Sequence, residues 1–189
     1  MEKQRGFTLV ELMVVVAIAA VLVGMAVPAF NQLIKSNNIS NAVNTFMSDM
    51  RFARSESIRL GGGVVMCRSN APEASSPACD TGSGTDGNGW ISGWVIFQDL
   101  NNDLGIDAGE PILRVQAAIQ TVDSMVEQSA RSKIKFAATG RLQSVTSTMQ
   151  LQFGGGGFTN TQQRVVCVSL GGRARIAGDG TVSCATGNL

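Results

Sequence analysis

The sequence predicts an α+β protein in which one long N-terminal helix precedes a run of antiparallel strands. Two observations predict this class. A helical pattern continues without a stop from Phe7 to Leu60, and from Val64 onward short β-branched and aromatic segments alternate with glycine-rich turns. A long helix followed by consecutive strands is an α+β arrangement, with the helix packed on an antiparallel sheet.

The first half of the helical pattern is apolar enough to span a membrane. Between Phe7 and Phe30 the only charged side chain is Glu11. As a helix this stretch extends roughly 36 Å at about 1.5 Å per residue, which exceeds a hydrocarbon core of about 30 Å. The preceding residues 1–6 hold two bases and one acid, which is typical of a cytoplasmic N-terminus.

Two other interpretations of this segment compete. A secretory signal peptide would have a shorter apolar stretch, of about 7–15 residues, followed by a small-residue cleavage site. An ordinary anchor leaves Glu11 unexplained, because a carboxylate near the bilayer centre costs about 2.5–3.5 kcal/mol and usually faces a partner. The cost would be lower if Glu11 lay near the interface.

The second half of the helical pattern, residues 31–60, is amphipathic. Apolar and small residues recur at spacings of three and four, which predicts a face packed on the sheet rather than a ligand site. They are Ile39, Val43, Phe46, Met50, Ala53 and Ser57. Charged residues fall largely off this stripe, namely Arg51, Arg54, Glu56 and Arg59. The three glycines of residues 61–63 predict the helix end.

Eight strands are predicted after the helix, with a β domain over residues 63–189. They are Val64–Arg68, Trp90–Phe97, Ile112–Val115, Ile119–Met125, Lys133–Ala137, Met149–Phe153, Arg164–Leu170 and Ala174–Ala177. Gly154–Gly157 predicts a turn, and the polar stretch from Ser69 to Gly89 predicts a loop.

The composition argues against an enzyme and for a loop-rich β domain. Charged residues make up 15% of the 189, there are 22 glycines, and neither His nor Tyr is present. The absence of His removes the commonest general base and the commonest transition-metal ligand. No nucleophile elbow or phosphate-binding glycine loop is present either. We therefore expect no catalysis and no cofactor.

Four cysteines fall as two local pairs, Cys67 with Cys79 and Cys167 with Cys184. Disulfides persist in an oxidising compartment, and each local pairing would contribute about 3 kcal/mol in the chain-entropy model. Zinc is the rival interpretation, but no Cys-x-x-Cys spacing is present. We predict two disulfides with the local pairing, while other pairings stay open.

An acidic turn has the residue spacing of a calcium loop. Its oxygen-bearing residues occupy positions 1, 3, 5, 9 and 12 of that register, namely Asp99, Asn101, Asp103, Asp107 and Glu110. The sixth position requires a glycine, and Leu104 stands there. The alternative is a solvated hairpin loop in which Asn and Asp side chains bond their own backbone. The sequence favours this alternative.

Charge is segregated along the chain although its net value is only +1. Residues 69–113 hold seven acids and no base, and residues 128–178 hold seven bases and no acid. This segregation predicts either a polarised surface or two regions that face each other.

Gly171-Gly172-Arg173-Ala174-Arg175 is the candidate binding motif in the basic region. Two arginines at i and i+2 on a strand point the same way, so both guanidinium groups could meet one phosphate backbone. The adjacent glycines would let the chain approach closely and free its amides. The alternative is a solvated face or a subunit contact. Few aromatic residues are interleaved here, so stacking on bases is poorly supported.

The N-terminus resembles the processing site of type IV pilins and type II secretion pseudopilins. The resemblance rests on the short basic leader and on Gly6-Phe7-Thr8-Leu9-Val10-Glu11, with Pro28 also typical of the group. It implies that a prepilin peptidase cleaves between Gly6 and Phe7 and that Phe7 is N-methylated. It further implies that Glu11 neutralises the amino terminus of a neighbouring subunit during assembly.

The remainder resembles the soluble domain of the GspH/FimT/FimU group of minor pilins. The resemblance rests on Trp90 with Gly93–Phe97, on the Asp99–Asp103 turn and on Gly109–Leu113. The Gly-Arg-x-Arg segment is similar to the motif with which FimT-type minor pilins bind DNA during natural transformation. This similarity implies that Gly172, Arg173 and Arg175 form the DNA site. Four basic residues are possible support, namely Lys133, Lys135, Arg141 and Arg164.

Together these resemblances imply a minor type IV pilin with the type IV pilin fold. Residues 1–6 would be the leader, 7–30 the membrane and filament-core helix, and 31–189 the periplasmic domain. The expected partners are major and minor pilins, the prepilin peptidase, the pilus assembly platform, the inner membrane and DNA. Two alternatives remain: a pilus-assembly initiator without DNA binding, and a minor pseudopilin of type II secretion.

Overall fold

The structure is a computed structural model that describes residues 8–84, 87–143 and 145–184. The predicted cleavage pair, Gly6 and Phe7, lies outside the described residues. The chain divides into two compact units, Met1–Asn37 and Asn38–Leu189.

Helix α1 spans Leu9–Leu60 and contains Pro28. Its start is a capping box: the Glu11 amide donates to Thr8 Oγ1, and the Thr8 amide donates to Glu11 Oε2 at 2.9 Å. This Thr-x-x-Glu arrangement satisfies two backbone donors that a helix start otherwise leaves unpaired. Glu11 therefore has a structural partner within its own chain, which the sequence reasoning missed.

In the first unit the helix presents its apolar side chains to the surroundings. Residues 9–36 are exposed throughout. Within the described residues, α1 is the one helix whose length and composition suit a membrane crossing. A helix that is apolar all round is stable only in a lipid or protein environment.

In the second unit the helix buries one face. All six residues of the predicted stripe are buried, from Ile39 to Ser57. The helix ends where Gly61 takes a φ of 78° and the Gly62 amide bonds the Ser57 carbonyl at 2.8 Å. This is the left-handed glycine termination predicted from residues 61–63.

Within the described part of the chain, nine strands follow the helix and form two antiparallel sheets. They are β1 Val64–Arg68, β2 Trp94–Gln98, β3 Ile112–Gln116, β4 Ser124–Glu127, β5 Lys133–Phe136, β6 Leu142–Gln143, β7 Met149–Gly154, β8 Arg164–Val168 and β9 Ala174–Gly178. One sheet has the order β3-β2-β1-β5-β6 and the other the order β4-β7-β8-β9. The predicted α+β class is confirmed, with two sheets where one was expected.

Two strand predictions were wrong in detail, and one short strand was not predicted. The predicted strand Trp90–Phe97 is a 3₁₀ turn, Trp90–Ser92, followed by β2. Gly93 separates the two with a φ of 104°, and a β carbon there would lie 2.5 Å from the Gln116 carbonyl oxygen. The predicted Ile119–Met125 strand begins only at Ser124, and the two-residue β6 was not predicted.

The helix and both sheets share one core. Phe46 packs edge-to-face on Trp90, Trp94 and Phe153, with ring centroids 6.0, 5.7 and 5.8 Å away. The helix also contributes a buried carboxylate, Asp49, which accepts from the Trp94 indole at 2.9 Å. The bond gives the indole nitrogen of Trp94 an acceptor, so the large ring can be buried in the core without an unpaired polar atom.

Two disulfides join the local cysteine pairs. Cys67 bonds Cys79, and Cys167 bonds Cys184. The second disulfide connects β8 to the C-terminal segment, whose Cys184 amide donates to Gln150 Oε1 of β7. Both Cys67 and Cys167 are completely buried.

Candidate nucleic-acid interface

The Gly-Arg-x-Arg segment begins in the turn between β8 and β9 and ends inside β9. The Gly172 amide donates to the Ser169 carbonyl at 2.8 Å, and the Ser169 amide donates to the Arg173 carbonyl at 3.0 Å. Gly172 has a φ of 73°, and a β carbon at this position would lie 2.2 Å from the Gly140 carbonyl oxygen. Only glycine therefore lets this turn lie against the β5–β6 turn.

Gly172 was expected to contact DNA, but its position in the structure does not allow this. The residue is buried, and its amide is used inside the turn rather than free for a ligand. Its contribution is positional, because the close approach to Gly140 sets where Arg173 emerges.

The two arginines of the motif are not equivalent. Arg173 is exposed immediately before β9, whereas Arg175 is half-buried and pairs with Cys167 across the ladder. Arg175 Nε is buried and has no hydrogen-bond partner among the described residues. Arg173 is thus the accessible member of the pair.

Arg173 borders a groove of about 410 Å³ between the β8–β9 turn and the last turns of helix α1. The helix lines it with Arg51, Arg54, Ser55 and Ile58, and the turn lines it with Gly172, Arg173 and Ala174. Arg54 Nε donates to the Gly140 carbonyl at 3.1 Å, which ties the helix to the β5–β6 turn. No carboxylate lines the groove among the described residues.

The sequence reasoning missed the two helix arginines as site residues. It noted only that they lie off the buried stripe. The available signal was their i, i+3 spacing, which puts them on one side of the helix. The spacing does not indicate that this side of the helix faces the β8–β9 turn.

Two of the four supporting residues, Lys133 and Lys135, lie on a sheet face away from this groove. Ile134 and Phe136 of β5 face the shared core, so the alternating Lys133 and Lys135 lie on the opposite sheet face. Lys135 is buried, and its ammonium lies 2.7 Å from Asp99 Oδ2. Its expected support of DNA binding is therefore wrong, because the charge is already paired inside the fold.

Arg141 and Arg164 have different positions. Arg141 is exposed and follows Gly140 in the turn that contacts Gly172, so it lies beside the candidate site. Arg164 begins β8, at the strand end opposite the β8–β9 turn. Its Nη1 donates to the carbonyls of Thr161, Gln162 and Gln163, which makes it a loop-stabilising residue.

The acidic turn is an internally bonded loop, as the favoured interpretation of its sequence holds. Asp99 is buried and accepts from the Asn102 and Leu104 amides as well as from Lys135. The Asn101 amide group donates to Asp103 and Asp107. Glu110 accepts from the Leu100 and Asp107 amides.

The calcium interpretation of Asp99, Asn101, Asp103 and Glu110 is not supported. Lys135 already supplies a positive charge to Asp99, the first residue of the calcium register, and also donates to Asn102. Within residues 8–84, 87–143 and 145–184, no group of three or more metal-ligating side chains is arranged to hold a metal.

Comparison with known families matches both parts of the chain. A profile described as type II transport protein GspH matches residues 42–172. A profile for the prokaryotic N-terminal methylation motif matches residues 1–27.

Among curated proteins, matches of higher identity cover short stretches and matches of lower identity cover longer ones. The chain is 43% identical over 47 residues to the prepilin peptidase-dependent protein D of Escherichia coli K12, which is 25% of this chain and 32% of that protein. It is 31% identical over 111 residues to a fimbrial protein of Dichelobacter nodosus. This match covers 57% of this chain and 61% of that protein. The match therefore spans about a third and three fifths of these two relatives. A type IV major fimbrial protein FimA of the same organism is 27% identical over 138 residues, or 73% and 77%.

Among solved structures, the crystal structure of the type IV minor pilin FimU of Pseudomonas aeruginosa is similar in fold. The TM-score is 0.51 at 18% identity, over 74% of this chain and 88% of that chain. At this identity the match establishes a shared fold, a long N-terminal helix on antiparallel sheets.

Proposed function

The chain belongs to the GspH family and is a minor-pilin-like protein with the type IV pilin fold; from this we propose that it enters a type IV pilus and binds DNA there for uptake in natural transformation. The family and the fold are those of structural pilins rather than enzymes.

The assembly part of the proposal rests on the N-terminal unit. Residues 1–6 are the leader, which the prepilin peptidase removes before Phe7 is N-methylated. Residues 7–30 then serve first as the inner-membrane anchor and, after the assembly platform extracts them, as filament core among other pilins. The match of residues 1–27 to the N-terminal methylation motif supports this processing, and the exposed apolar helix supports packing against neighbouring helices.

The remaining residues, 31–189, form the globular domain, which lies in the periplasm until assembly. Two disulfides support this orientation, since such bonds persist in an oxidising compartment.

The DNA-binding part is carried by one observation. Arg173 is exposed on a groove whose described lining contains three arginines and no acid. Guanidinium groups bind phosphates through paired, charge-assisted hydrogen bonds, and such contacts are independent of base sequence. Arg175 and the adjacent Arg141 add positive charge around the same turn.

A salt-titrated binding measurement tests this function. The full chain in detergent is titrated against fluorescent duplex and single-stranded DNA, beside the Arg173→Ala/Arg175→Ala variant. Binding that weakens steeply with salt and is largely lost in the variant is expected. Equal retardation of DNA by both proteins would contradict the proposal.

A second candidate is a minor pseudopilin of type II secretion, which the GspH description of the matching family favours. Its partner would be protein rather than DNA. A pilus-assembly initiator without DNA binding is the third candidate. Absence of salt-dependent DNA binding in the wild-type chain would leave these two.

A further inference from the structure

We propose that helix α1 supplies two further nucleic-acid contacts, Arg51 and Arg54, which together with Arg173 hold the phosphates of one DNA backbone in the groove. The inference rests on the proposed DNA-binding function and assigns to the helix a role beyond assembly and core packing.

The first support is convergence. Arg51 and Arg54 come from the helix and Arg173 from the β8–β9 turn, more than a hundred residues later in the chain, yet all three line one groove. On a helix, residues three apart have β carbons about 5–6 Å from one another and lie on one side. The two helix guanidinium groups can therefore contact neighbouring positions along a single backbone.

The second support is that these charges are available. Neither Arg51 nor Arg173 makes a side-chain hydrogen bond or ion pair with residues 8–84, 87–143 or 145–184. Arg54 uses only Nε, on the Gly140 carbonyl. That bond holds the guanidinium plane in place while its two terminal nitrogens make no bond to a described residue. A donor that is already oriented loses less conformational entropy when it binds.

The third support is the lack of competing acids. Two acids lie two positions from the helix arginines, and both are already paired. Asp49 is buried and accepts from the Trp94 indole and from Arg114, and Glu56 accepts from Arg59 at 2.9 Å. The Arg59 guanidinium lowers the pKa of Glu56, so this carboxylate is ionised and already paired. A buried or bordering carboxylate would repel phosphate, and the groove has none among the described residues.

The lining also indicates which part of a nucleic acid would bind. Ser55, Ile58, Gly172 and Ala174 complete the groove, and its described lining offers no aromatic ring for base stacking. Planar guanidinium groups match phosphate oxygens in a bidentate manner. Readout is therefore of the backbone, with little dependence on base sequence.

The test compares Arg51→Gln with Arg59→Gln in the full-length protein. Both residues are exposed arginines on the last turns of the same helix, but Arg59 lies outside the groove and is paired with Glu56. We expect Arg51→Gln to weaken duplex binding about tenfold. We also expect a shallower dependence of binding on salt. The slope of the logarithm of the binding constant against the logarithm of the salt concentration should decrease in magnitude by about 0.9, the value for one lost phosphate contact. Arg59→Gln should retain the wild-type slope.

Arg54 is tested by Arg54→Lys and Arg54→Gln, with the melting temperature of each variant measured first. The proposal is supported if a variant with the wild-type melting temperature binds DNA more weakly and with a smaller dependence on salt. If both variants are destabilised, Arg51→Gln and the charge reversal Arg51→Glu decide the question, because Arg51 has no described partner to lose.

The outcomes separate this inference from the function on which it rests. If Arg173→Ala/Arg175→Ala loses DNA binding while Arg51→Gln matches Arg59→Gln in affinity and slope, the helix contacts are wrong and the proposed function stands. If the wild-type chain shows no salt-dependent binding, the proposed function fails and this inference fails with it.

Discussion

The Lys135 ammonium lies 2.7 Å from Asp99 Oδ2, and both side chains are buried. The same nitrogen donates to Asn102 Oδ1. The lysine therefore acts as an internal cation for a loop whose residue spacing is that of a calcium site. Because the two charges are buried and paired with each other, the Lys135 ammonium is not available to DNA and the Asp99 carboxylate is not available to a metal.

Replacing Lys135 is expected to affect stability rather than DNA binding. Lys135→Met leaves the Asp99 carboxylate buried without its cation, which costs about 3–5 kcal/mol when one partner of a buried pair is removed. Urea unfolding measures the loss. Lys133→Met, on the same strand and sheet face but half-exposed, is the control and should cost less than about 1 kcal/mol. Equal losses in the two variants would contradict the role of the pair.

Gly172→Ala is expected to displace the β8–β9 turn. The new β carbon would lie 2.2 Å from the Gly140 carbonyl oxygen, at a φ of 73°. We expect a loss of about 1–3 kcal/mol from the left-handed strain, together with weaker DNA binding as Arg173 shifts. Gly171→Ala is the matched control, because its β carbon would meet only Ser169 Oγ, at 3.6 Å. If Gly171→Ala impairs stability and binding equally, the close approach is not the cause.

Glu11 has two separable roles, one in helix capping and one proposed in assembly. Glu11→Gln keeps a side chain that can complete the capping box but removes the charge. Thr8→Val removes the hydroxyl that the Glu11 amide bonds and leaves the carboxylate. We expect Glu11→Gln to insert in the membrane normally and to abolish incorporation into pili, while Thr8→Val assembles. Pilus fractions probed by immunoblot measure this. Normal assembly of Glu11→Gln would refute the charge-neutralising role.

Asp103 is expected to add a pH-dependent term to stability. The Gly105 amide, then the Asn101 and Asp107 side chains and the nearby Lys133 charge, lower the pKa of this exposed carboxyl from its ordinary 3.8. A carboxyl with a lowered folded-state pKa stabilises the fold above the unfolded-state pKa and loses that contribution as pH falls through the folded-state value. The stability difference between wild type and Asp103→Asn should therefore be present near neutral pH and shrink below pH 3.8. A difference that stays constant in urea titrations across this range would contradict the assignment.

The two disulfides are expected to differ in their effect on DNA binding. Cys167→Ser/Cys184→Ser and Cys67→Ser/Cys79→Ser should each lose about 2–4 kcal/mol of stability. Only the first pair lies beside the site, since Cys167 pairs with Arg175 across the β8–β9 ladder. We expect weaker DNA binding in the first double variant and unchanged binding in the second, under conditions where both remain folded. Identical binding in both would show that the C-terminal disulfide does not position Arg175.

Much of the fold could be predicted because its determinants are local. The six-residue stripe from Ile39 to Ser57 follows the helical period, and all six residues are buried. Strand β1 was predicted at its observed bounds, Val64–Arg68. The strand predicted over Trp90–Phe97 failed because Gly93 needs a positive φ beside the Gln116 carbonyl. That requirement arises from a neighbouring segment, so the local pattern does not contain it.

The candidate site was predicted only in part, for the same reason. Arg173 was identified from its motif, and it is exposed. The sequence indicates for Arg51 and Arg54 only that they lie off the buried stripe, and it predicts Lys135 as possible support of the DNA site. Each error arose because the contacts of a residue depend on segments far away in the chain. The partner of Lys135, for example, is Asp99, 36 positions away.

By itself, the sequence determined the long helix, its apolar first half, its glycine stop and the strand-rich remainder. Periodicity, hydropathy and backbone preference act within a few residues, so these features are encoded locally. Tertiary structure decided which charges meet, which are buried and which line a groove. Those outcomes depend on the close approach of Gly172 to Gly140, on Arg54 bonding the Gly140 carbonyl and on Lys135 reaching Asp99. Each of these contacts joins residues far apart in sequence, and only the packing of the helix and the two sheets brings them together.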